Sequence, residues 1–316
     1  MKVLITSRSF GKINDRPFRI LEEAGIEALK IGGDFHQEEF ERIVPEYDAL
    51  IIGAHEFPEE VMERCGRLRI ICKHGVGVDN IHLNKAKELG IAVCNTPGTN
   101  SGAVADITFG LMISLARRID EASRAVRRET VKVPPIGVDV CGKTLGLLGF
   151  GAIAKNMARR AFGFSMKVLA YDPYVQSLPK EFAGYTELAD FDTVVRSCDF
   201  LCVHMPLTDE TRGMVGAETL AKMKQGAFVL NTARGGIVDE TALYDALTSG
   251  HIAGAALDVT ETEPVTPDHP LLALENVIIT PHMAANSREA ISAISELCAE
   301  NVVACLTGGE LRHRVV

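Results

Sequence analysis

Residues 144–162 read TLGLLGFGAIAKNMARRAF. An apolar run, Thr144–Leu148, leads into the turn Gly149-Phe150-Gly151-Ala152-Ile153-Ala154, and a helix-length segment follows. A strand, a G-x-G-x-x-G/A turn and a helix in this order are typical of dinucleotide-binding domains. Gly149 permits the tight turn, Gly151 lets the backbone approach a pyrophosphate, and Ala154 allows close helix–strand packing. The first helical N–H groups then point at the phosphates.

The acid at the end of the next predicted strand indicates which dinucleotide binds. The strand Lys167–Tyr171 leads to Asp172, 23 residues beyond Gly149. A carboxylate there accepts hydrogen bonds from the ribose hydroxyls and repels a 2′-phosphate. Pro173 and Tyr174 follow, with no basic residue for that phosphate. The pattern predicts NAD rather than NADP; the alternative is that Asp172 only forms a turn before Pro173.

Short apolar runs alternate with helix-length amphipathic segments along most of the chain, which predicts an α/β fold with two doubly wound parallel sheets. Two long helical patterns, from about Ser101 to Arg128 and from about Ser287 to Leu306, flank the middle segment. We therefore predict a discontinuous substrate domain, 1–98 plus 284–316, and a dinucleotide-binding domain, 99–283, with a cleft between them. Val131–Gly137 contains Pro134-Pro135 and is predicted to be a connection. The predicted strands are Val3–Ile5, Ala49–Ile52, Ile70–Cys72, Ala92–Cys94, Thr144–Leu148, Lys167–Tyr171, Phe200–Val203, Ala227–Leu230, Gly254–Val259 and Val277–Thr280.

Composition argues against several classes of partner. The 316 residues carry 33 Lys plus Arg against 42 Asp plus Glu, a formal net charge of −9. Such an acidic chain is a poor candidate for binding nucleic acid or an anionic membrane. The N terminus, MKVLITSRSFGK, leaves no room for the apolar core of a signal peptide. The 8 cysteines are scattered without a C-x-x-C pair, so we expect reduced thiols, no metal site and a cytoplasmic location.

Ionisable residues follow three predicted strands near the end of the middle segment. Arg234 follows one strand, Glu261 and Glu263 follow the next, and His282 follows the last. Ligands bind at the carboxyl ends of parallel strands. A guanidinium can grip a carboxylate at two points, and an imidazolium can protonate a carbonyl oxygen as hydride arrives at its carbon. A carboxylate beside the imidazole stabilises its charged form. The set suits reduction of a 2-keto acid.

These motifs together resemble the D-isomer-specific 2-hydroxyacid dehydrogenase family along nearly the whole chain. The resemblance implies a flavodoxin-like substrate domain and a Rossmann domain that binds NAD. It also implies a homodimer formed through the nucleotide domains. The matching stretches are KHGVGVDNI (Lys73–Ile81), NTPGTNSGAVAD (Asn95–Asp106), GKTLGLLGFGAIA (Gly142–Ala154), HMPLTDETRGMV (His204–Val215), NTARGGIVDETAL (Asn231–Leu243), GAALDVTETEP (Gly254–Pro264) and NVIITPHMAA (Asn276–Ala285).

Carried over position by position, the resemblance assigns the catalytic roles to Arg234, Glu263 and His282, and leaves Glu261 outside the site. The backbone of His74-Gly75-Val76-Gly77 would receive the substrate carboxylate through the N–H groups of Val76 and Gly77. Arg234 and His282 would also contact the substrate. The implied cofactor contacts are Gly149, Phe150, Gly151, Ala152, Ile153 and Asp172 at the turn, His204, Met205 and Pro206 beside the adenosine half, and Thr232, Ala233 and Asp258 beside the nicotinamide. Thr211 and Ala284 are further implied cofactor contacts.

Within the family, the motifs KHGVGVDNI and NTPGTNSGAVAD are most similar to those of the phosphoglycerate dehydrogenase branch. The resemblance is to a short form without the serine-sensing domain. That branch commonly has an arginine where this chain has Ile52-Gly53-Ala54-His55, and a tryptophan after residue 128, whereas this chain contains no tryptophan. Lys73, His74, His55 or the group Arg124, Arg127 and Arg128 could supply the missing charge. The leading substrate pair is 3-phosphoglycerate and 3-phosphohydroxypyruvate. Hydroxypyruvate or glyoxylate reduction, then another small acid such as lactate or sulfolactate, remain alternatives. A non-enzymatic NADH-sensing protein, similar to corepressors that share the fold, is the competing class.

Overall fold

A computed structural model describes residues 1–32, 35–130 and 133–316. The chain divides into two compact units. Unit 1 comprises Met1–Asn100 together with Ala285–Val316, and unit 2 comprises Ser101–Ala284. Each unit contains one sheet, and every pairing between its named strands is parallel. Strand and helix labels below follow chain order through both units.

The sheet of unit 1 has the strand order β2-β1-β3-β4-β5. This is the flavodoxin-like order, in which the chain reverses direction across the sheet between β1 and β3. Loops that follow β1, β3 and β4 therefore lie side by side at the carboxyl edge. The strands are β1 (Lys2–Ile5), β2 (Glu27–Lys30), β3 (Ala49–Ile52), β4 (Ile70–Lys73) and β5 (Ala92–Cys94).

Helices cover both faces of this sheet, so its central strands are apolar on both sides. In β1, Val3 and Ile5 pack into one hydrophobic cluster with residues of the C-terminal helix, whereas Leu4 packs into the other cluster with Phe40. The helices of unit 1 are α1 (Arg16–Glu23), α2 (Gln37–Ile43), α3 (Glu59–Met62), α4 (Leu83–Glu88) and α11 (Arg288–Thr307), and Val44–Glu46 form a 3₁₀ turn.

Helix α11 is long and apolar enough, by length and composition, to cross a membrane, and half of that stretch is buried inside the fold. Its buried residues include Ile294, Cys298 and Val302, which belong to the same cluster as Val3 and Ile5. The helix begins after Ser287, whose side chain accepts a hydrogen bond from the N–H of Ala290. The apolar composition of α11 therefore follows from its packing against the sheet.

The sheet of unit 2 has the order β12-β11-β10-β9-β6-β7-β8. Counted from β6, this is the Rossmann order with one further strand, and its reversal point lies between β6 and β9. Both sheets are thus doubly wound, as the sequence predicted. The strands are β6 (Thr144–Leu148), β7 (Lys167–Tyr171), β8 (Thr186–Leu188), β9 (Phe200–Val203), β10 (Ala227–Asn231), β11 (Ile252–Leu257) and β12 (Val277–Ile279).

Two hydrophobic clusters fill the faces of this second sheet. Phe200 and Cys202 of β9 pack on the face covered by α5 and α7, and Leu201 and Val203 pack on the opposite face. The helices of unit 2 are α5 (Ser101–Ala116), α6 (Ile119–Arg127), α7 (Ala152–Gly163), α8 (Phe191–Ser197), α9 (Ala217–Lys222) and α10 (Glu240–Thr248), with 3₁₀ turns at Lys180–Phe182 and Pro270–Ala273.

The structure differs from the sequence analysis in two strands and one helix. Strands β2 and β8 were not predicted; both are edge strands, and β2 alternates between exposed and half-buried residues. The single helix predicted over 101–128 is two helices, separated at Arg118, which has a left-handed backbone. The connection predicted at Val131–Gly137 falls partly outside the described residues; residues 133–137 contain neither helix nor strand.

The close approach of α8 to β6 requires a residue without a side chain at Gly146. A Cβ atom there would lie 2.8 Å from Cβ of Cys198 and 3.0 Å from Val194. We therefore expect Gly146→Val to lower the free energy of unfolding by about 1–3 kcal/mol. Gly110→Ala is the control, because Gly110 lies within α5 and faces open space; it should raise stability by about 0.5–1 kcal/mol. Urea unfolding of both variants measures these changes. Equal unfolding midpoints for Gly146→Val and Gly110→Ala would contradict the close packing of α8 on β6.

Candidate active site

The three predicted catalytic side chains follow three neighbouring strands of unit 2. Strands β10, β11 and β12 lie side by side, and Arg234, Glu263 and His282 come from the loops at their carboxyl ends. Because all three strands run in the same direction, these loops meet at one edge of the sheet. A Cβ atom on Gly235 would overlap the carbonyl group of Thr260, so the loops after β10 and β11 are in close contact.

Glu263 and His282 form a hydrogen-bonded pair. The Nδ1 atom of His282 lies 2.7 Å from Oε2 of Glu263. A carboxylate only accepts hydrogen bonds, so Nδ1 carries the proton and Nε2 is left to exchange a proton with a ligand. Glu261 is placed differently: its N–H donates to Oε1 of Glu240. The geometry therefore pairs the imidazole with the second of the two glutamates.

Burial raises the pKa of Glu263, but several opposing effects together bring that pKa below its ordinary value. These are the hydrogen bond and charge of His282, a hydrogen bond from the N–H of Thr260, and the charge of Arg234. Glu263 thus stays ionised through neutral pH. Its stabilising contribution is present above the ordinary carboxyl pKa and is lost only as the pH falls through the lowered folded value.

The backbone of His282 is held in an unusual conformation by Asp258. The φ angle of His282 is +48°, a region that costs free energy for a residue with a side chain. The Asp258 carboxylate, 1% exposed, accepts hydrogen bonds from the Thr280 hydroxyl at 2.5 Å, the Met283 N–H at 2.9 Å and the Ala284 N–H at 2.8 Å. Asp258 therefore orients the loop that carries His282. Its predicted contact with nicotinamide stays a prediction.

Asn231 organises the loop that carries Arg234. Its side chain is buried; Nδ2 donates to the carbonyl oxygen of Arg234 at 2.8 Å, and Oδ1 accepts the N–H of Ala233 at 3.0 Å. The Thr232 hydroxyl is bonded to that of Thr108 on α5 at 2.8 Å. The sequence analysis missed both Asn231 and Thr108. The signal for Asn231 was a polar residue at the last position of an otherwise apolar strand.

The turn after β6 fits a dinucleotide. Gly149 has φ +91°, and a Cβ there would lie 2.8 Å from the carbonyl oxygen of His204. A Cβ on Gly151 would meet nothing within 4 Å, so the backbone faces open space there. Helix α7 begins at Ala152 with no side chain capping its N terminus among the described residues. Free N–H groups beside an open glycine turn are what a pyrophosphate requires.

Asp172 closes the same turn from the end of β7. One oxygen of its carboxylate accepts the N–H of Phe150 at 2.8 Å, and the other accepts the N–H of Tyr174 at 2.9 Å. Each carboxylate oxygen has a second lone pair. The side chain therefore forms the local turn and still has acceptor capacity for two ribose hydroxyls, so the two interpretations of Asp172 are compatible.

The segment after β9 lies against the glycine turn, as the contact between Gly149 and His204 shows. Both ring nitrogens of His204 are buried without a hydrogen bond in the described part of the chain, and burial lowers the pKa of His204 to about 4. Met205 is buried and Pro206 is exposed. The Thr211 hydroxyl donates to the carbonyl oxygen of Pro206 at 2.7 Å, which closes this loop on itself.

In unit 1, the loop after β4 presents two unused backbone donors. Neither Val76 nor Gly77 donates its N–H to another described residue. The loop is anchored on both sides, because the Gly75 carbonyl accepts the N–H of Thr96 at 3.0 Å and the Val76 carbonyl accepts Nδ2 of Asn95 at 2.7 Å. Such a loop can bind a small anion without rearranging. Across the described ranges, no group of three or more His, Cys, Asp or Glu side chains could hold a metal ion.

Comparisons with known proteins identify the family. Residues 109–284 match the family model "D-isomer specific 2-hydroxyacid dehydrogenase, NAD binding domain". The chain is 40% identical over 317 residues to a D-3-phosphoglycerate dehydrogenase of Archaeoglobus fulgidus, covering 100% of this chain and 59% of that protein. It is 42% identical over 260 residues to a hydroxypyruvate reductase of Thermotoga maritima, covering 80% of this chain and 83% of that protein.

Among solved structures, the TT0316 protein of Thermus thermophilus superposes with a TM-score of 0.92 at 38% identity, and the match covers 100% of both chains. The present chain spans about three fifths of the Archaeoglobus relative, but almost all of this solved structure. The glycine turn and Asp172 fit the NAD that the matched family model names. The chain belongs to the D-isomer-specific 2-hydroxyacid dehydrogenase family, and its cofactor is NAD.

Proposed function

We propose that this protein transfers hydride between NAD(H) and a D-2-hydroxy acid or its 2-keto acid. The observation that carries the proposal is the Glu263–His282 hydrogen bond at the carboxyl edge of β10–β12, next to the loop of Arg234. An imidazole oriented by a carboxylate is a general acid–base pair. The same sheet carries the glycine turn that fits NAD.

Each residue has one task in the proposed reaction. NAD(H), when bound, supplies or accepts the hydride at the substrate's second carbon. Arg234 grips the substrate carboxylate and polarises the carbonyl oxygen. His282 donates a proton from Nε2 to that oxygen during reduction and removes it from the hydroxyl during oxidation. Glu263 compensates the charge of the imidazolium, and the N–H groups of Val76 and Gly77 bind the substrate carboxylate.

For the substrate, the leading proposal is 3-phosphoglycerate and 3-phosphohydroxypyruvate, the pair consistent with the name of the Archaeoglobus relative. Reduction of hydroxypyruvate or glyoxylate is the second candidate. Two observations favour it: the name of the Thermotoga relative, and Ile52-Gly53-Ala54-His55, which contains no arginine at the end of β3. Phosphohydroxypyruvate and hydroxypyruvate differ only in the phosphate at the far end, whereas glyoxylate also lacks the third carbon.

We further propose a homodimer through unit 2, in the cytoplasm. Helix α6 has no buried residue, and apolar side chains are exposed on it and after it: Ile119 by 51%, Val126 by 66% and Ile136 by 88%. A groove of about 470 Å³ beside them is lined in part by Ile136, Val138 and Phe228. An apolar surface of this kind supports a protein interface. The cytoplasmic location is supported by cysteines that are all free thiols.

The arginines of α6 belong to this proposed interface. The guanidinium of Arg124 pairs with Asp120 at 2.9 Å and donates to the carbonyl oxygen of Glu275 at 2.9 Å. Arg127 and Arg128 lie on the same helix and its C-terminal end, and both are exposed. Their place at the end of α6 supports a role in the dimer rather than in binding a substrate phosphate.

Oxidation of NADH by the purified protein tests the activity, with phosphohydroxypyruvate, hydroxypyruvate, glyoxylate, pyruvate and sulfopyruvate as substrates. We expect turnover of at least one of them. His282→Ala should lower kcat by about 10²–10⁴-fold, because the proton donor is lost, while NADH binding measured by fluorescence stays within about twofold. Glu261→Ala is the control and should resemble the wild type. Near-normal turnover by His282→Ala contradicts the mechanism; tight NADH binding without turnover of any acid supports the NADH-sensing alternative.

Replacing Glu263 should slow reduction. Glu263→Gln removes the carboxylate that accepts the Nδ1 proton of His282 and compensates the imidazolium charge, so we expect kcat to fall by about tenfold or more. The matched variant Glu261→Gln should keep the wild-type kcat, because the Glu263–His282 hydrogen bond is left in place. Steady-state rates of NADH oxidation measure the loss, and an unchanged kcat in Glu263→Gln would mean that Glu263 does not assist the proton transfer.

Asp172→Ala should relax the choice of cofactor. The variant loses the acceptor for the ribose hydroxyls and the repulsion of a 2′-phosphate, so kcat/KM for NADH relative to NADPH should fall by about tenfold or more. Glu187→Ala, on the neighbouring strand β8, tests whether removing any negative charge near this edge has the same effect. If both variants change this ratio equally, the choice between NADH and NADPH does not depend specifically on Asp172.

The dimer is tested by molar mass in solution. We expect the wild type to elute as a dimer in size-exclusion chromatography with light scattering, and Val126→Arg to elute as a monomer. A charge placed in the core of an apolar interface costs several kcal/mol. Leu272→Arg changes an exposed apolar residue away from α6 and should stay dimeric. A monomeric wild type, or a dimeric Val126→Arg, overturns this interface.

A further inference from the structure

Three loops of unit 1 are joined at the carboxyl edge of its sheet, where the substrate carboxylate is proposed to bind. The loop after β1 is bonded to the loop after β3, because the Thr6 hydroxyl lies 2.7 Å from Nε2 of His55. It also contacts the loop after β4, because the Ser9 hydroxyl lies 3.5 Å from Nδ1 of His74. Arg8 lies between Thr6 and Ser9. The β1 loop is thus adjacent to the loop whose N–H groups, at Val76 and Gly77, make no other bond among the described residues.

Lys73, at the end of β4, is used to hold these loops together. Its Nζ atom donates to the carbonyl oxygen of Gly53 at 2.7 Å and to Oδ1 of Asn80 at 2.6 Å. The Asn80 amide in turn donates to the carbonyl oxygens of Gly53 and His55. Two of the three donors of the Lys73 ammonium are thus used within unit 1, so this cation is a structural part of the loops.

The two histidines at this edge are neutral at neutral pH. His55 stacks on Phe35 with 4.0 Å between ring centroids, and its Nδ1 lies 2.9 Å from the Glu56 carbonyl oxygen. Burial lowers the pKa of His55, and the charge of Lys73 adds to the effect. Burial also lowers the pKa of His74 to about 4, and its Nε2 lies 2.9 Å from the Ser295 hydroxyl. Neither ring offers a charge to a phosphate.

Arg8 differs from these three residues in having a held backbone and an unengaged side chain. Its carbonyl oxygen accepts Nζ of Lys30 at 3.1 Å, and Lys30 also donates to the Phe10 carbonyl oxygen at 2.7 Å. The Arg8 residue is exposed, and within the described residues its guanidinium has no hydrogen bond or ion pair. An anchored backbone and an unengaged planar guanidinium favour the binding of an oxyanion through two parallel hydrogen bonds.

We propose that Arg8 binds the distal anionic group of the substrate, the phosphate of 3-phosphohydroxypyruvate, and so determines specificity. The proposal rests on the proposed function, and takes its substrate to be the phosphorylated one. With the carboxylate on the N–H groups of Val76 and Gly77, the phosphate lies at the other end of a three-carbon chain. Arg8, on the adjacent loop, would receive the phosphate there. Arg8 then replaces the arginine that is missing after β3.

The test compares two substrates that differ only in the phosphate. In NADH oxidation, we expect the ratio of kcat/KM for phosphohydroxypyruvate to that for hydroxypyruvate to fall about tenfold or more in Arg8→Gln, because a charge-assisted two-point contact is lost. Arg8→Lys should give an intermediate ratio, because an ammonium keeps the charge but lacks the two parallel N–H donors of a guanidinium. The KM for the phosphorylated substrate should also rise more steeply with ionic strength in the wild type than in Arg8→Gln.

Lys12→Gln is the matched control. Lys12 is an exposed cation near the same loop, and its charge acts on Lys30 of β2, on the side of β1 away from β3 and β4. We expect Lys12→Gln to keep the wild-type ratio. Equal losses in Lys12→Gln and Arg8→Gln would mean that general positive charge, not Arg8, attracts the phosphate, and would overturn the inference.

The failure of this inference is distinguishable from failure of the proposed function. A wild type that reduces 2-keto acids with the same substrate ratio as Arg8→Gln keeps the proposed function and overturns the role of Arg8. A wild type that reduces hydroxypyruvate but not phosphohydroxypyruvate also overturns it. A wild type that binds NADH and reduces none of the acids contradicts the proposed function itself, and with it the role of Arg8.

Discussion

The buried carboxylate of Asp258 is the interaction on which the candidate site depends. A charge removed from water costs several kcal/mol unless hydrogen bonds replace its hydration. Asp258 has three such bonds, all from residues 280–284. Because Asp258 directly follows β11 and these residues follow β12, the pairing of the two strands sets the distance between their loops. The backbone of His282 is thereby kept at positive φ, and its imidazole meets Glu263.

The packing of parallel sheets also explains how much of the fold could be predicted from the sequence. Central strands such as β1 and β9 are covered on both faces, so their residues are apolar without alternation and are easy to recognise. Edge strands have one neighbour and more water; β2, with the sequence Glu27–Lys30, therefore lacks an apolar run. The break at Arg118 had no glycine or proline to indicate it. Its left-handed backbone belongs to a residue type that rarely adopts it.

For the candidate site, the strand ends predicted the residue types, and only the family resemblance distinguished Glu263 from Glu261. The sequence placed an arginine, two glutamates and a histidine after the right strands, because strand ends are where ligands bind. Which glutamate meets His282 depends on the path of the turn after β11, and no spacing rule describes that path. Asn231 and Asp258 act through the backbone of their loops, so the sequence shows a polar residue where an apolar strand ends but not the backbone groups that it orients.

Net charge and local charge decide different properties of this protein. A formal charge of −9 argues against extended polyanions, whose binding requires many cations on one surface. A small acid needs only a few contacts, and charges farther away than about 8–10 Å are screened at physiological ionic strength. The structure distributes its cations accordingly: Lys30 and Lys73 hold backbone carbonyls of unit 1, while Arg8 keeps its guanidinium unengaged among the described residues. An acidic chain can thus select a small anion through the few cations that its loops leave available.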